Sequence, residues 1–406
     1  METRNSYDIN NIERARQRIR SVIHDTPLNY SQTFSNMSGC PIYLKFENQQ
    51  KTGSFKVRGA YNKIARLLET DPPAAVIASS AGNHAQGVAF AASSLGMRAT
   101  IVMPRTTPIA KISATEEYGA NVVLHGDCYD DAYQKAMELQ QESGAVFIHP
   151  FEDEDVIAGQ GTIGLEILRD LPDLDTVLVP AGGGGLLAGI ACCIKSIDPG
   201  IRVIGVQSAE ADALVQGFRC GHYRCTDTAQ TIADGIAVKN PGQMTFAYIS
   251  KYVDDMVTVT DSEISAAILL LLERCKQVVE PAGAAALAAA LSARMEVRGG
   301  KTACILSGGN IDVSFIHKIV EKGLINRGRQ LKLSTVMRDV PGSLEHFASI
   351  VSGCNANIIM VQHDRLHADL ELNEAIIHAA FEVSGPAHGQ ELIRALERSG
   401  YVVTVE

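Results

Sequence analysis

Lys56 stands in Thr52-Gly53-Ser54-Phe55-Lys56, after a Gly-Ser turn and at the head of a segment whose Val57, Tyr61, Ile64, Ala65 and Leu68 recur at helical spacing. An amine held at a helix start and flanked by Phe55 is placed to form a Schiff base with an aldehyde cofactor. Taken alone, Lys56 reads better as a solvated surface charge. Glycine-bearing loops further along change that balance. Gly182-Gly183-Gly184-Gly185 follows the apolar run Val177 to Ala181 and precedes the apolar helix Leu186 to Ile194. Each glycine loses backbone entropy on folding, so four in succession point to unobstructed N–H groups wrapped round a phosphate, aided by the following helix dipole. A plain flexible turn is the weaker reading. The loop has neither the G-x-G-x-x-G of a dinucleotide site nor the Lys-Ser/Thr of a P-loop.

Ser79-Ser80-Ala81-Gly82-Asn83-His84 lies between an apolar run ending at Ala78 and a helical pattern. Free N–H groups at that helix start suit an anion such as a substrate carboxylate. An ordinary tight turn suits the same residues equally well, and His84 is as readily the first residue of the helix. Ser307-Gly308-Gly309-Asn310 follows Cys304 to Leu306, and in an open parallel sheet ligands bind just outside the carboxyl ends of strands. One positioned lysine and three such loops describe a phosphate-bearing aldehyde cofactor better than any single motif does.

The elements that must hold these groups read as α/β. Val76 to Ala78, Thr100 to Met103, Val122 to Leu124, Val146 to Ile148, Val177 to Val179, Val203 to Val206 and Cys304 to Leu306 are continuous apolar runs. They alternate with helices beginning near His84, Ile109 and Tyr129, which predicts a largely parallel sheet covered by helices on both faces. Thr260-Asp261-Ser262-Glu263 is a capping box opening a helix to about Arg274, and the Ala-rich run Ala282 to Ala290 predicts a buried helix. The polar stretch Gly323 to Gln330 reads as a linker. Beyond it the pattern changes to strand Leu331–Met337, helix Ser343–Val351, strands Ile358–Gln362 and Glu374–Val383, helix Ala387–Ser399 and strand Tyr401–Val405. This β-α-β-β-α-β order predicts a small ferredoxin-like α+β domain.

With 406 residues, 46% hydrophobic and 20% charged, the chain can bury two or three domains, and no run of eighteen apolar residues suggests a membrane partner. A formal charge of -10 disfavours nucleic acid. Met1 to Asn10 lack an apolar leader core, so the expected location is cytoplasmic. The nine cysteines show no metal-ligand spacing and read as reduced thiols, with no metal site.

The chain resembles pyridoxal-phosphate enzymes of the tryptophan-synthase β-subunit fold type (fold type II), and among them the threonine dehydratase, or threonine ammonia-lyase, family. The resemblance covers nearly the whole length. It rests on Thr52 to Lys56, Ser80 to His84, Val156-Ile157-Ala158-Gly159-Gln160-Gly161-Thr162, the tetraglycine, Ile232-Ala233-Asp234-Gly235 and Ser307 to Asn310. The last domain is similar to an ACT domain, through Asp339-Val340-Pro341-Gly342-Ser343-Leu344 and Gly400-Tyr401-Val402-Val403.

The resemblance implies that residues 1–325 form the catalytic part, with a smaller subdomain at about 50–150 inserted, 326–330 a linker and 331–406 an ACT-like regulatory domain. It implies that Lys56, with Phe55 beside it, carries pyridoxal 5'-phosphate as a Schiff base and then removes the substrate Cα proton. Gly182, Gly183, Gly184 and Gly185 would hold the cofactor phosphate, Asn83 the phenolic oxygen and Ser307 the ring nitrogen. Ser80, Ala81, Gly82, Asn83 and His84 would bind the substrate carboxylate, and the cofactor phosphate would assist hydroxyl departure. The implied reaction turns L-threonine into 2-oxobutanoate and ammonium, and L-serine into pyruvate. An amino-acid effector, isoleucine or valine, would bind near Pro341, Gly342, Ser343 and Leu344 of a homo-oligomer. Similar serine racemases carry a second acid–base serine where this chain has Ala81, which disfavours racemisation. Where such relatives bind a metal through Glu and Asp, this chain has Gln207 and Ala213. A β-replacement enzyme and an amino-acid sensor are the alternative readings.

Overall fold

The continuous apolar runs become strands with both faces covered, and every residue of Thr176–Pro180 is buried. The computed structural model describes residues 8–292, 299–366 and 370–406; most of the segment screened for a leader, 1–7, lies outside them. The chain divides into two compact units, Met1–Ile311 and Asp312–Glu406, so the helix Val313–Asn326 opens the second.

The first unit contains strands β1 (Leu28–Tyr30), β2 (Ile42–Lys45), β3 (Ala75–Ser79), β4 (Arg98–Met103) and β5 (Asn121–Leu124). It continues with β6 (Val146–Phe147), β7 (Thr176–Pro180), β8 (Arg202–Ser208), β9 (Asp255–Val259) and β10 (Thr302–Ile305). A six-stranded sheet has the order β1-β2-β10-β7-β8-β9 and is parallel except at β1. The chain leaves it after β2, builds the four-stranded parallel sheet β5-β4-β3-β6, and returns at β7. Val177, Val179, Val203 and Ile305 share one buried cluster with residues of the helices Glu154–Asp170 and Gly185–Ile197. Val76, Ala78, Ile101 and Met103 form another with Ala85, Val88 and Ala92 of the helix Asn83–Ser94. Each large aliphatic side chain so buried contributes about 1.5–3 kcal/mol.

The Thr260 capping box forms: Glu263 N donates to Thr260 Oγ1 at 3.3 Å and Thr260 N to Glu263 Oε2 at 2.7 Å. The α-helix ends at Leu270, however, and a π-turn occupies Leu271–Cys275 before Lys276 at φ 58°. The expected α-helix to Arg274 therefore loosens one turn early, and the chain is redirected toward Glu280. Pro281, whose missing N–H is harmless in a first turn, starts the buried helix Pro281–Leu291.

The second unit has β11 (Gln330–Arg338), the helix Ser343–Gly353, β12 (Asn357–Asp364), β13 (Glu374–Glu382), the helix Pro386–Arg398 and β14 (Val403–Val405). Its sheet order is β12-β13-β11-β14, antiparallel throughout. Leu333, Phe347, Ile377, Phe381, Leu392 and Leu396 fill its core.

Candidate active site

Lys56 is the first residue of the helix Lys56–Thr70. The loop before it is stitched to the end of β10: Phe55 N donates to Ser307 O at 3.1 Å, Gly309 N to Gly53 O at 2.8 Å, and Ser54 bridges Gly308. Gly53 sits at φ 71°, and a Cβ there would stand 2.5 Å from Asn310 Oδ1, so this turn needs glycine. Half-buried Lys56 donates from Nζ to Pro150 O at 3.0 Å, with the Phe55 ring centroid 5.3 Å away. Burial pulls its ammonium down to about 8, against the attraction of Glu280. Such an amine is a usable nucleophile and base near neutral pH.

Pro150-Phe151 connects the lysine to the tetraglycine. A Cβ on Gly183 would meet the Phe151 ring at 2.3 Å, and one on Gly185 would meet Phe151 Cβ at 3.0 Å. The Gly183 carbonyl is occupied by Thr245 Oγ1 at 2.6 Å and Gly242 N at 3.2 Å. The N–H groups of Gly182, Gly183, Gly184 and Gly185 have no partner among the described residues, at the start of the helix Gly185–Ile197. Such a cluster of free donors fits a phosphate.

Asn83 opens its helix at the end of the β3 loop and donates from Nδ2 to Glu280 Oε1 at 2.7 Å. Its Oδ1 accepts from Asn310 Nδ2, which also donates to Thr52 O at 2.9 Å. Burial raises the Glu280 carboxyl to about 8, with the Asp234 charge adding to it. In the β3 loop Ser80 N donates to Val102 O at 3.2 Å and Gly82 N to Ser80 Oγ at 3.2 Å. His84 is buried, and its Nε2–H donates to Ile148 O at 2.8 Å. Burial first, then the Lys56 charge, pushes its imidazole down to about 3, leaving Nδ1 bare and without a partner among the described residues.

The fold thus draws Lys56, Phe55, Asn83 and the Ser307 loop together, with Gly182 to Gly185 reached through Phe151. Pro341, Gly342, Ser343 and Leu344 lie in the second unit, where Gly342 at φ 91° caps the helix Ser343–Gly353 in a largely exposed turn. The sequence reading passes over Glu280 and takes Asn310 only as the end of a loop. A carboxylate opening an otherwise uncharged Ala-rich helix was the signal for Glu280. Among the described residues, no three His, Cys, Asp or Glu side chains converge to hold a metal ion. No described helix is long and apolar enough to cross a membrane.

Residues 19–308 match the family described as pyridoxal-phosphate dependent enzyme, and the chain belongs to it. It is therefore an enzyme that uses pyridoxal phosphate, on the α/β scaffold of fold type II. It is 48% identical over 397 residues to an L-threonine ammonia-lyase of Thermotoga maritima, covering 98% of this chain and 99% of that one. The processed form of threonine deaminase isoform 2 from Solanum lycopersicum superimposes with a TM-score of 0.74 at 40% identity, covering 77% of this chain and 86% of that one. Maize serine racemase gives 0.74 at 36% identity, covering 79% and 99%.

Gly184 offers a direct check on the cradle. Its φ is 97°, and a Cβ would lie 2.7 Å from Thr245 Oγ1 and 2.9 Å from Ile249 Cδ1. A left-handed residue with a side chain costs about 1–2 kcal/mol before any clash. Gly184→Ala is expected to weaken pyridoxal-phosphate binding at least about tenfold in a spectral titration. An unchanged dissociation constant would remove the loop from the cofactor site.

Two depressed imidazoles also set an acid limit. Burial, then the Lys56 charge, lowers His149 to about 4, and its Nδ1 accepts from Glu152 N at 2.8 Å. His84 and His149 stay neutral in the folded chain but take a proton near the ordinary 6.5 when unfolded. Their contribution is complete above about pH 6.5 and is lost as pH falls toward 4, each adding a slope of up to about 1.4 kcal/mol per pH unit. Denaturation midpoints are expected to fall from pH 7.5 to 5.5, less steeply in His149→Asn, which keeps an acceptor. Equal slopes in both proteins would exclude His149 as a source.

Proposed function

We propose that the protein is a carbon–nitrogen lyase that deaminates L-threonine to 2-oxobutanoate and ammonium, and L-serine to pyruvate. The observation that carries this reading is the half-buried Lys56 amine, lowered to about 8, joined through Pro150-Phe151 to four glycine N–H groups that have no partner among the described residues. The relatives named as threonine ammonia-lyase and threonine deaminase support the substrate. Bound pyridoxal phosphate supplies an electron sink conjugated with the substrate nitrogen.

Lys56 Nζ would hold the cofactor aldehyde, and its free amine would take the substrate Cα proton. Gly182 to Gly185 would hold the phosphate with their N–H groups, Asn83 would hydrogen-bond the phenolic oxygen and Ser307 the ring nitrogen. A neutral serine beside that nitrogen would leave the ring a weaker electron sink than a carboxylate partner would, which favours loss of the β-hydroxyl. The Ser80 to His84 loop would bind the substrate carboxylate, with Ser80 N and Gly82 N already engaged by Val102 O and Ser80 Oγ. Neutral His84 is not the acid for hydroxyl loss, and Ala81 has no proton to deliver to the opposite face, which favours elimination over racemisation. Loss of the Cα proton and the β-hydroxyl would remove one water, and hydrolysis would return one to give keto acid and ammonium.

Residues 331–406 are read as an ACT-like regulatory domain of a cytoplasmic homo-oligomer, with isoleucine or valine bound near Pro341 to Leu344. The β-α-β-β-α-β order supports the domain assignment. Keto acid release from threonine, followed during an isoleucine titration of the full chain, tests both parts. No release from threonine or serine overturns the activity; release insensitive to isoleucine and valine overturns the regulation.

A further inference from the structure

Asn83 is held by neighbours that decide which end of its amide faces which way. The Thr52 carbonyl can only accept, so Asn310 must turn its –NH2 toward it, at 2.9 Å. The same –NH2 donates its other hydrogen to Asn83 Oδ1 at 2.5 Å. With its oxygen taken, Asn83 faces Glu280 Oε1 with Nδ2, at 2.7 Å. A flipped Asn83 would set its –NH2 against the –NH2 of Asn310, which the Thr52 carbonyl holds in place. Asn83 Nδ2 carries two hydrogens and Glu280 takes one. The other has no partner among the described residues.

We propose that Glu280 and Asn310 are positioning residues, forming with Thr52 a relay that locks the Asn83 amide so that its spare N–H is available to the phenolic oxygen of pyridoxal phosphate. The relay deepens the proposed function and rests on it. The far end is itself fixed: Glu280 is 5% exposed, and its N donates to Gly308 O at 3.0 Å. A Cβ on Gly308 would stand 2.3 Å from Glu280 Oε1 and 3.2 Å from Asn83 Nδ2, so the strand-end glycine keeps this contact open. Burial raises the Glu280 carboxyl to about 8, and the Asp234 charge adds to this. Glu280 accepts from Asn83 in either protonation state, and the neutral form keeps a second anion away from the phenolic oxygen.

The test is a double-mutant cycle on the pyridoxal-phosphate dissociation constant and on the visible band of the bound cofactor, using the full chain. Asn83→Ala, Glu280→Ala and Asn310→Ala are each expected to weaken binding about tenfold and to move the band. Glu280→Ala and Asn310→Ala are expected to add nothing on the Asn83→Ala background. Glu280→Gln, which keeps an acceptor oxygen, is expected to retain wild-type affinity and band position. Penalties that persist undiminished without the Asn83 amide, or a wild-type band in Glu280→Ala, overturn the relay alone. A wild type that takes up no cofactor overturns the relay and the proposed function together.

Discussion

Lys56→Ala is expected to lower threonine turnover by about 10⁴-fold, the upper range for removing a group that moves a proton in the transition state. The loss should fall on kcat, because in the proposed mechanism the amine acts on the reacting carbon after the substrate carboxylate is bound elsewhere. Two other lysines are already engaged: Lys45 with Thr26 O and Glu166, both at 2.6 Å, and Lys111 with Asp234 at 3.3 Å. The folded state should survive, since the only hydrogen bond from Lys56 Nζ among the described residues is to Pro150 O. Initial-rate kinetics on cofactor-supplemented protein decide the matter. Residual kcat within tenfold of wild type would mean that Lys56 is not the base.

Arg58, two residues further along the same helix, is expected to matter for stability rather than chemistry. It is fully buried, and holds Glu47 through Nε and Nη2, each at 2.8 Å, and Glu166 through Nη1 at 2.6 Å and Nη2 at 2.9 Å. Lys45 supplies the second cation, so two positive charges face two negative ones. Burial works against ionisation of Glu47, yet the Arg58 charge and hydrogen bonds hold its carboxyl below the usual range. The cluster joins β2 and the turn after it to the helices Lys56–Thr70 and Glu154–Asp170, and so fixes the element that begins with Lys56. Arg58→Met would leave two buried carboxylates facing one lysine, at a cost of about 3–5 kcal/mol. Asp25→Asn, which breaks an exposed pair with Arg169, should cost no more than about 1 kcal/mol. Chemical denaturation separates the two. Losses of equal size would mean that the buried cluster has no special weight.

The comparison of these two lysine-helix residues shows what the chain discloses on its own. The helix start at Lys56 was legible because its neighbours in sequence, Gly53 and Ser54, mark a turn and its followers repeat at helical spacing, while its proposed chemistry became readable only beside the glycine loops further along. Arg58 was not, because its partners Glu47 and Glu166 lie 11 and 108 residues away and each reads as an ordinary surface charge. The same contrast runs through the strands. β3, β4, β7, β8 and β10 each contain a short apolar run whose residues are buried. β1 (Leu28-Asn29-Tyr30) is three residues long and extended only because it pairs with β2, and Lys45 ends β2 with a charge that tertiary contacts bury. The helix Glu154–Asp170 also escapes a periodicity search: Gly159, Gly161 and Gly164 sit where neighbouring segments approach closely, and buried Glu166 interrupts its apolar surface. Local glycine chemistry therefore announces the proposed cofactor loops, whereas the Asn83–Glu280 contact spans 197 residues and emerges only from the fold.

The most direct measurement is borohydride reduction of the cofactor-bound protein followed by peptide mapping. A single pyridoxyl label on Lys56 is the predicted result, with none after the same treatment of Lys56→Ala. A label on any other lysine, or none on the wild type, would contradict the assignment of the reactive amine and the deamination built on it.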